Sequence, residues 1–337
     1  MSPTTRRTDA PADGEFGLIA RHFQRTGHPD PAQVALGIGD DCALLVPTPG
    51  RQMAISCDML VEGRHFFPDT DPHALGHKAL AVNLSDLAAM GATPRGFTLA
   101  LALPSADDDW LGAFASGLFA LADAHQCPLI GGDTTRGPLN LCITVFGEVA
   151  PAAAMRRQAA QPGDDVYVSG QLGEARLALE IRRQTDWACA QTPEADRPDL
   201  MQRLDRPEPR VALGRALGGI AHAALDLSDG LVGDLTHILR ASGVGATLDW
   251  ASLPRAAAIA RLPEAHQHTC LLHGGDDYEL LFTAPASQRQ AIERAARTSQ
   301  TPVHRIGRIT SAALDLKLVD AHGIPRAVEG RGYDHFA

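Results

Sequence analysis

The chain is 337 residues long, 45% of them hydrophobic, with 40 acidic against 30 basic side chains and a formal net charge of −10. That length can bury large cores and fits two globular domains, while the composition excludes fibrous, collagen-like and wholly disordered chains. With no run of Lys and Arg to offset the negative balance, nucleic acid and anionic membranes are unexpected partners.

The N-terminal residues carry charge but no apolar core of a leader, and residues 1–13 are expected to form a loose tail. Residues 15–25 place Phe16, Ile19, Ala20 and Phe23 at helical spacing, so a short amphipathic helix opens the fold. Next comes GIGDDCALL (37–45), two adjacent carboxylates in a glycine turn before an apolar run. Glycines let the backbone approach a ligand, and paired carboxylates offer hard oxygens to a divalent cation. Residues 52–57 suit a strand that delivers Asp58 at its end, where α/β sheets expose their chemistry, and His65 follows in the loop.

Residues 71–91 form a predicted helix with Asp-Pro at its start and Gly91 as its stop. Asp86 lies inside its apolar pattern beside Asn83 and Ser85, and a charge there is costly unless paired or bound to a cation. A strand (97–103), a helix (108–125), a strand ending in Asp133 (127–133) and a further strand (139–149) complete a first domain over residues 14–149. Residues 150–163, Ala-rich with Pro151, Pro162, Arg156 and Arg157, read as a linker to a second domain over 164–337. There a strand (165–169) and a helix (172–183) precede a polar, proline-studded excursion (185–209). A strand at 223–229 carries Asp226 and Asp229, and HGGDDYELL (273–281) echoes the early glycine turn. A helix (286–298) and a strand (303–310) lead to a tail ending RGYDHF. The echoes GxGDD and LSD recur at offsets of 236 and 143 residues, and a tandem repeat would keep one offset, so no domain duplication is inferred.

Six scattered cysteines without a CxxC pair fit a reduced cytoplasm, and no stretch approaches the apolar length of a membrane span. The acids on glycine turns, strand ends and apolar patterns are Asp40, Asp41, Asp58, Asp86, Asp133, Asp226, Asp229, Asp276 and Asp277. Converging on one cleft, they would repel one another strongly unless cations sat between them, and oxygen-only sites suit several Mg²⁺ ions. Magnesium in number points to phosphates, yet the only lysines, Lys78 and Lys317, fall in no P-loop pattern. Anion contacts then fall to arginines such as Arg136 and Arg157, to the Gly131–Gly132 amides and to the turn at 228–230. Neither a nucleophile elbow nor a protein-kinase signature is present.

GIGDDCALL, ISCD…EGRHF, KALAVNLSDLAAMGA, LIGGDTTRGPL, LDLSDGL, GGDDYELLF and GYDHF, in this order and spacing, resemble the thiamine-monophosphate kinase family, within the superfamily of aminoimidazole ribonucleotide synthetase and selenophosphate synthetase. The resemblance implies an N-terminal α/β domain, its sheet covered by helices on one face, a C-terminal α+β domain, and a cytoplasmic homodimer joined through the N-terminal sheets. It implies transfer of the γ-phosphoryl group of ATP to thiamine monophosphate with several Mg²⁺ ions and without a general base, because the acceptor phosphate is already anionic. Matched motif by motif, Asp41, Ser56, Cys57 (through its carbonyl), Asp58, Asp86, Asp133, Asp226 and Asp229 correspond to the Mg²⁺ shell. Gly132, Asp133, Arg157 and Ser228 correspond to ATP contacts, and His65, Asp276 and Tyr333 to the thiamine-phosphate side. Two positions depart from the pattern: Cys57 stands where a hydroxyl residue is expected, and Asp276 where relatives often carry Glu. Two other functions remain open: another ATP-dependent synthetase of the superfamily, or a non-catalytic nucleotide or thiamine-phosphate sensor.

Overall fold

The computed structural model describes residues 15–25 and 30–327. Helix α1 (Glu15–His22) leads to a short antiparallel ribbon, β1 (Val34–Leu36) and β2 (Leu44–Leu45), that brackets the glycine turn with Asp40 and Asp41. There follow β3 (Gln52–Val61), α2 (Pro72–Ala89), β4 (Thr93–Leu103), α3 (Asp108–Ala124), β5 (Leu129–Arg136) and β6 (Asn140–Val149). The four long strands form a sheet in the order β3-β6-β4-β5. β6 runs antiparallel to both β3 and β4, and β5 lies parallel to β4 at the far edge.

Strand periodicity makes this sheet two-faced. Leu141, Ile143 and Val145 of β6 and Leu99 and Leu101 of β4 are buried beneath α2 and α3. On the opposite face Met53, Ile55 and Met59 of β3 are 40%, 61% and 55% exposed. Asp71 caps α2, its carboxylate accepting from the Ala74 amide at 2.9 Å, and Pro72 occupies the first turn where its missing N–H costs nothing. α2 is buried nearly all round because it lies between this sheet and the second half of the chain, packing against α3, β3, β6, and elements of the second sheet.

The second half contains β7 (Asp165–Ser169), α4 (Glu174–Arg182), α5 (Asp186–Gln191), α6 (Arg197–Asp205), α7 (Val211–Leu217), β8 (Ala223–Asp226), α8 (Leu231–Ser242) and β9 (Gly245–Asp249). It continues with α9 (Ala257–Ala260), α10 (Glu264–His273), β10 (Leu280–Ala284), α11 (Arg289–Thr298), β11 (Val303–Thr310), β12 (Leu316–Val319) and β13 (Pro325–Arg326). Seven strands order as β13-β12-β9-β11-β7-β10-β8, antiparallel except for the β12–β9 pair. Tyr167, Ala224, Leu280 and Phe282 of this sheet share one apolar core with α2 and the first sheet. A second core lies under α4, α8 and α10.

Three expectations from the sequence change. The polar excursion at 185–209 folds into helices that pack on the domain: α5 and α6 bury Ala188, Leu200 and Leu204 against α4. The strand expected at 223–229 stops at Asp226, and 227–230 forms the turn into α8. β5 begins at Leu129 and continues through Arg136, so Asp133 lies inside a strand and not at its end; pairing of Thr134 and Thr135 with β4 prolongs it.

Helices α2 and α3 cross where glycines remove the side chains. A Cβ built on Gly117 would lie 1.8 Å from the His73 carbonyl oxygen, and one on Gly76 would lie 2.0 Å from that of Phe114. Gly117→Ala is therefore expected to cost about 1–3 kcal/mol by overpacking, read as a lowered Tm. Gly112→Ala, on the same helix with nothing within 4 Å, should leave Tm unchanged or raise it.

Candidate active site

The site forms where the two sheets meet across α2. On β3, Ser56 and Asp58 face the helix, and the Ser56 hydroxyl donates to Asp86 Oδ2 of α2 at 2.5 Å. The Asp58 amide donates to Asn83 Oδ1 at 3.1 Å, and Asn83 Nδ2 in turn donates to the Ala79 carbonyl. This pins an edge strand to a buried helix through the Asn-Leu-Ser-Asp segment. From the second sheet, β8 ends at Asp226. The following turn is held by Asp234 Oδ2, which accepts from the amides of Asp229 and Gly230 at 3.0 Å each. The 274–279 segment is laced to that turn: Asp276 N–H donates to the Ser228 carbonyl (3.0 Å) and Tyr278 N–H to that of Leu227 (2.9 Å).

Asp58, Asp86, Asp226, Ser228, Asp229 and Asp276 thereby line one cavity of about 510 Å³, with His65 at its wall. His65 Nδ1 accepts from the Val61 amide at 3.0 Å, which fixes the loop after β3. Ser56 and Arg157 border a smaller cavity of about 140 Å³ that shares Asp86 and Asp226. Cys57 points to the other face, its Sγ 3.3 Å from that of Cys142. Tyr333 lies outside the described residues.

The electrostatics of this cluster are unbalanced. Burial, followed by the Asp86 charge, pushes the Asp58 carboxyl up to about 6. Burial also raises Asp226, with Asp86 and Asp58 adding to the rise. Asp86 is raised by burial, against the Ser56 hydrogen bond and the Arg157 charge, which pull it down. Asp234 is pushed up to about 7, again chiefly by burial. Carboxyls raised in this way are short of positive charge. Among the described residues no three His, Cys, Asp or Glu side chains stand at metal-ligand spacing, so the acids approach one another without closing on a common point. Their oxygen-only chemistry, with a hydroxyl neighbour in Ser56, fits a hard divalent cation such as Mg²⁺.

Asp41, Gly132 and Asp133 stand elsewhere. They line a separate cavity of about 910 Å³ with α1 and the β1–β2 turn, where Asp40 Oδ1 accepts from the Asp41 amide at 2.8 Å. The register shows why one chain cannot gather all the acids. Asp58 lies in the row Asp58–Ile143–Leu99–Gly132, on the helix-covered face, whereas Asp133 lies in the row Met59–Cys142–Ala100–Asp133, on the open face. Asp58 and Asp133 also sit on opposite edge strands, three strand spacings or about 14 Å apart. The expectation of a single cleft holding all these carboxylates is thus corrected for one chain. Gly132 itself has φ +152°, and a Cβ there would meet the Leu99 carbonyl at 1.9 Å, so only glycine fits.

Several cleft residues escaped sequence reasoning. Lys78 and Asp205 line the larger part of the Asp58 cavity, and Asp234 and Glu279 brace its turns. The one available signal was the spacing of Lys78, Val82 and Asp86, four residues apart and hence on one helical stripe.

Comparison with known proteins follows the same division of the chain. Residues 39–149 match the N-terminal domain, and residues 161–318 the C-terminal domain, of AIR synthase related proteins. The thiamine-monophosphate kinase of Salmonella typhimurium is 46% identical over 327 residues, covering 97% of this chain and 99% of the relative. A crystal structure of thiamine-monophosphate kinase from Stenotrophomonas maltophilia K279a superposes with a TM-score of 0.80 at 48% identity, over 87% of this chain and 92% of that one. The structure of AaThiL complexed with AMPPCP and TMP superposes with a TM-score of 0.73 at 27% identity, over 99% and 100% of the two chains. With this identity spanning nearly its whole length, the chain belongs to the thiamine-monophosphate kinase family, built on the two-domain fold of AIR synthase related proteins.

Proposed function

We propose that this enzyme transfers the γ-phosphoryl group of ATP directly, in line, to the phosphate of thiamine monophosphate, giving thiamine diphosphate as the last step of its biosynthesis in the cytoplasm. The observation that carries the reading is the group of Asp58, Asp86 and Asp226, three carboxylates from three elements facing one cavity with their charges uncompensated. Family membership and a relative that carries AMPPCP and TMP support the two substrates.

Two polyphosphates brought together repel, and Mg²⁺ ions, when bound, neutralise and align them. Asp41, Ser56, the Cys57 carbonyl, Asp58, Asp86, Asp133, Asp226 and Asp229 would hold those ions. Gly132, Arg157 and Ser228, with Asp133, receive the nucleotide phosphates, and Arg157 does so from beside Asp86 and Asp226. His65 and Asp276, with Tyr333, receive the thiamine phosphate. The acceptor oxygen is already anionic near neutral pH, so the side chains position and screen charge and none needs to remove a proton.

The division of the acids between two edges supports a homodimer. Met53, Ile55 and Met59 give the N-terminal sheet an apolar face that the described residues leave exposed. Packing two such faces about a two-fold axis along the strands reverses the strand order in the second copy, so β3 of one protomer meets β5 of the other. Asp41 and Asp133 of the partner subunit then complete the cleft that Asp58, Asp86 and Asp226 begin. On this reading residues 14–149 are the dimerising domain, 150–163 the linker and 164–337 the second domain.

Purified protein with ATP, Mg²⁺ and thiamine monophosphate should yield thiamine diphosphate; no product at any metal concentration would sink the proposal. Asp58→Asn should lower turnover roughly a hundredfold or more, with the fold retained by circular dichroism. The dimer reading makes a sharper demand. Asp58→Asn and Asp133→Asn, each inactive alone, should recover roughly a quarter of wild-type activity when co-expressed, because each mixed dimer contains one intact composite site. Failure to recover any activity, with mixed dimers demonstrated, would mean that each chain builds its own site.

Metal-free protein should also show a distinctive pH response. Unfolded aspartates titrate near 4, whereas folded Asp58 and Asp234 titrate at about 6 and about 7. Between those limits the folded state binds more protons than the unfolded state, so stability falls as pH rises. In EDTA, Tm at pH 8 should lie below that at pH 5.5, added Mg²⁺ should raise Tm most at pH 8, and Asp58→Asn should flatten the slope. A Tm that climbs with pH through this window would count against the uncompensated cluster.

A further inference from the structure

Lys78, Val82 and Asp86 all line the 510 Å³ cavity, so one stripe of α2 runs along it for about 12 Å. The Asp86 end of the stripe joins the acid cluster described above. The Lys78 end meets the segment 275–278. Lys78 is one of only two lysines among 30 basic residues and is 3% exposed. Its ammonium lies 3.5 Å from Asp276 Oδ1, and the Tyr278 hydroxyl donates to that same oxygen at 3.2 Å. Burying an ammonium is costly unless it is paired. The neighbouring arginines, Arg176 and Arg182 of α4 and Arg183 just after it, pair elsewhere, Arg176 and Arg183 with Glu180 and Arg182 with Asp69, and Lys78 is the ion-pair partner of Asp276.

The backbone around Asp276 is held in a costly conformation. Asp276 has φ +66° and Tyr278 φ +48°, a region that disfavours residues with a Cβ. Between them Asp277 accepts the Gly173 amide at 3.0 Å, so the turn is fastened from below. Asp205, at the end of α6, lines the same end of the cavity. Burial raises its carboxyl, the Lys78 ammonium draws it back and Asp276 adds to the rise. Lys78 therefore pairs with Asp276 and shares with Arg182 the charge that draws Asp205 down, beside the rings of Phe66 and Tyr278.

We infer that Lys78 is a positioning residue for the acceptor substrate: by holding Asp276 Oδ1 it leaves Oδ2, together with Asp205, turned to a cationic heteroaromatic ring such as the thiazolium of thiamine. This rests on the proposed function and adds to it a residue that acts through Asp276. Nothing in that role touches the nucleotide, so the two substrates should respond differently to its loss.

The test compares Lys78→Met, Lys78→Arg, Asp276→Asn and the double variant Lys78→Met/Asp276→Asn by steady-state kinetics with ATP and thiamine monophosphate. Lys78→Met should raise KM for thiamine monophosphate about tenfold while kcat and KM for ATP stay within about twofold. Lys78→Arg should recover part of the loss, and the double variant should be no worse than Asp276→Asn, because two residues acting through one contact are not additive. A KM for thiamine monophosphate within twofold of wild type, an equal rise in both KM values, or losses that multiply in the double variant would each overturn the inference. If Lys78→Met fails to fold by circular dichroism, Lys78→Gln carries the same comparison. Failure of the proposed function would show instead in the wild-type protein, as absence of thiamine diphosphate.

Discussion

The structure turns on an electrostatic debt carried by one helix. α2 is buried between two sheets, and such a position would ordinarily be filled by apolar side chains throughout. Instead it brings Asp86 against Asp58 and Asp226, with Ser56 as a hydrogen-bond donor and Arg157 as the nearby positive charge. Burial raises the proton affinity of all three, the Asp86 charge adds to the rise at Asp58 and Asp226, and among the described residues neither an arginine fork nor a lysine closes on them. The fold tolerates this because the surrounding packing is dense: Leu80, Leu84 and Leu87 of the same helix are fully buried, and glycines at 76 and 117 let α3 approach closely. A rigid frame keeps these acids from relaxing apart, which is the preorganisation that the proposed cation site would need.

Part of this was legible in the residues alone. Asp86 inside an apolar helical pattern announces a half-buried charge in need of partners whatever the fold, and the helix from 71 to 91, with its Asp-Pro start, needed only local rules. The carboxylates of Asp58, Asp226, Asp229 and Asp276, picked out on a glycine turn and strand ends, do line one cavity with Asp86. Topology was not legible. Asp58 and Asp133 look alike in sequence, each on a strand and each beside small polar residues, yet β6 and β4 come between their strands and the pleat turns them to opposite faces. Strand order arises from pairings between residues about 30 to 97 positions apart, and no local pattern encodes it. Lys78 was hidden for a related reason. Its surroundings come from the 275–278 segment and α6 closing on α2, a contact that composition does not reveal.

The stretch 185–209 teaches the opposite lesson, that polar composition does not make a loop. Pro198 falls in the first turn of α6, where proline is tolerated, and the apolar positions Leu200 and Leu204 are spaced to bury one face. The polar residues that suggest solvent are in part engaged inward. Arg203 of α6 donates to Glu279 Oε1 at 3.2 Å, and Arg210, just before α7, grips both oxygens of the same carboxylate at 2.7 and 2.6 Å. Ser169 of β7 donates to Glu279 Oε2 at 2.5 Å and accepts from the Leu280 amide.

Glu279 is 1% exposed and lies three residues from Asp276, which connects this network to the site. A buried carboxylate held by a bidentate arginine, a second arginine and a hydroxyl has its bonding capacity met, so it is stable where it stands but intolerant of losing a partner, typically by about 3–5 kcal/mol. It therefore anchors the C-terminal end of the segment whose backbone is forced to positive φ at Asp276 and Tyr278. Strain of that kind persists only when the surroundings over-determine it. Here the determination comes from α6 and the approach to α7 on one side, through Glu279, and from the 227–230 turn on the other, through amide-to-carbonyl bonds. The helices of the polar stretch thus hold the cavity-lining turn at 275–278 in shape from outside the cavity, while Leu204 and Asp205 of α6 form part of its wall.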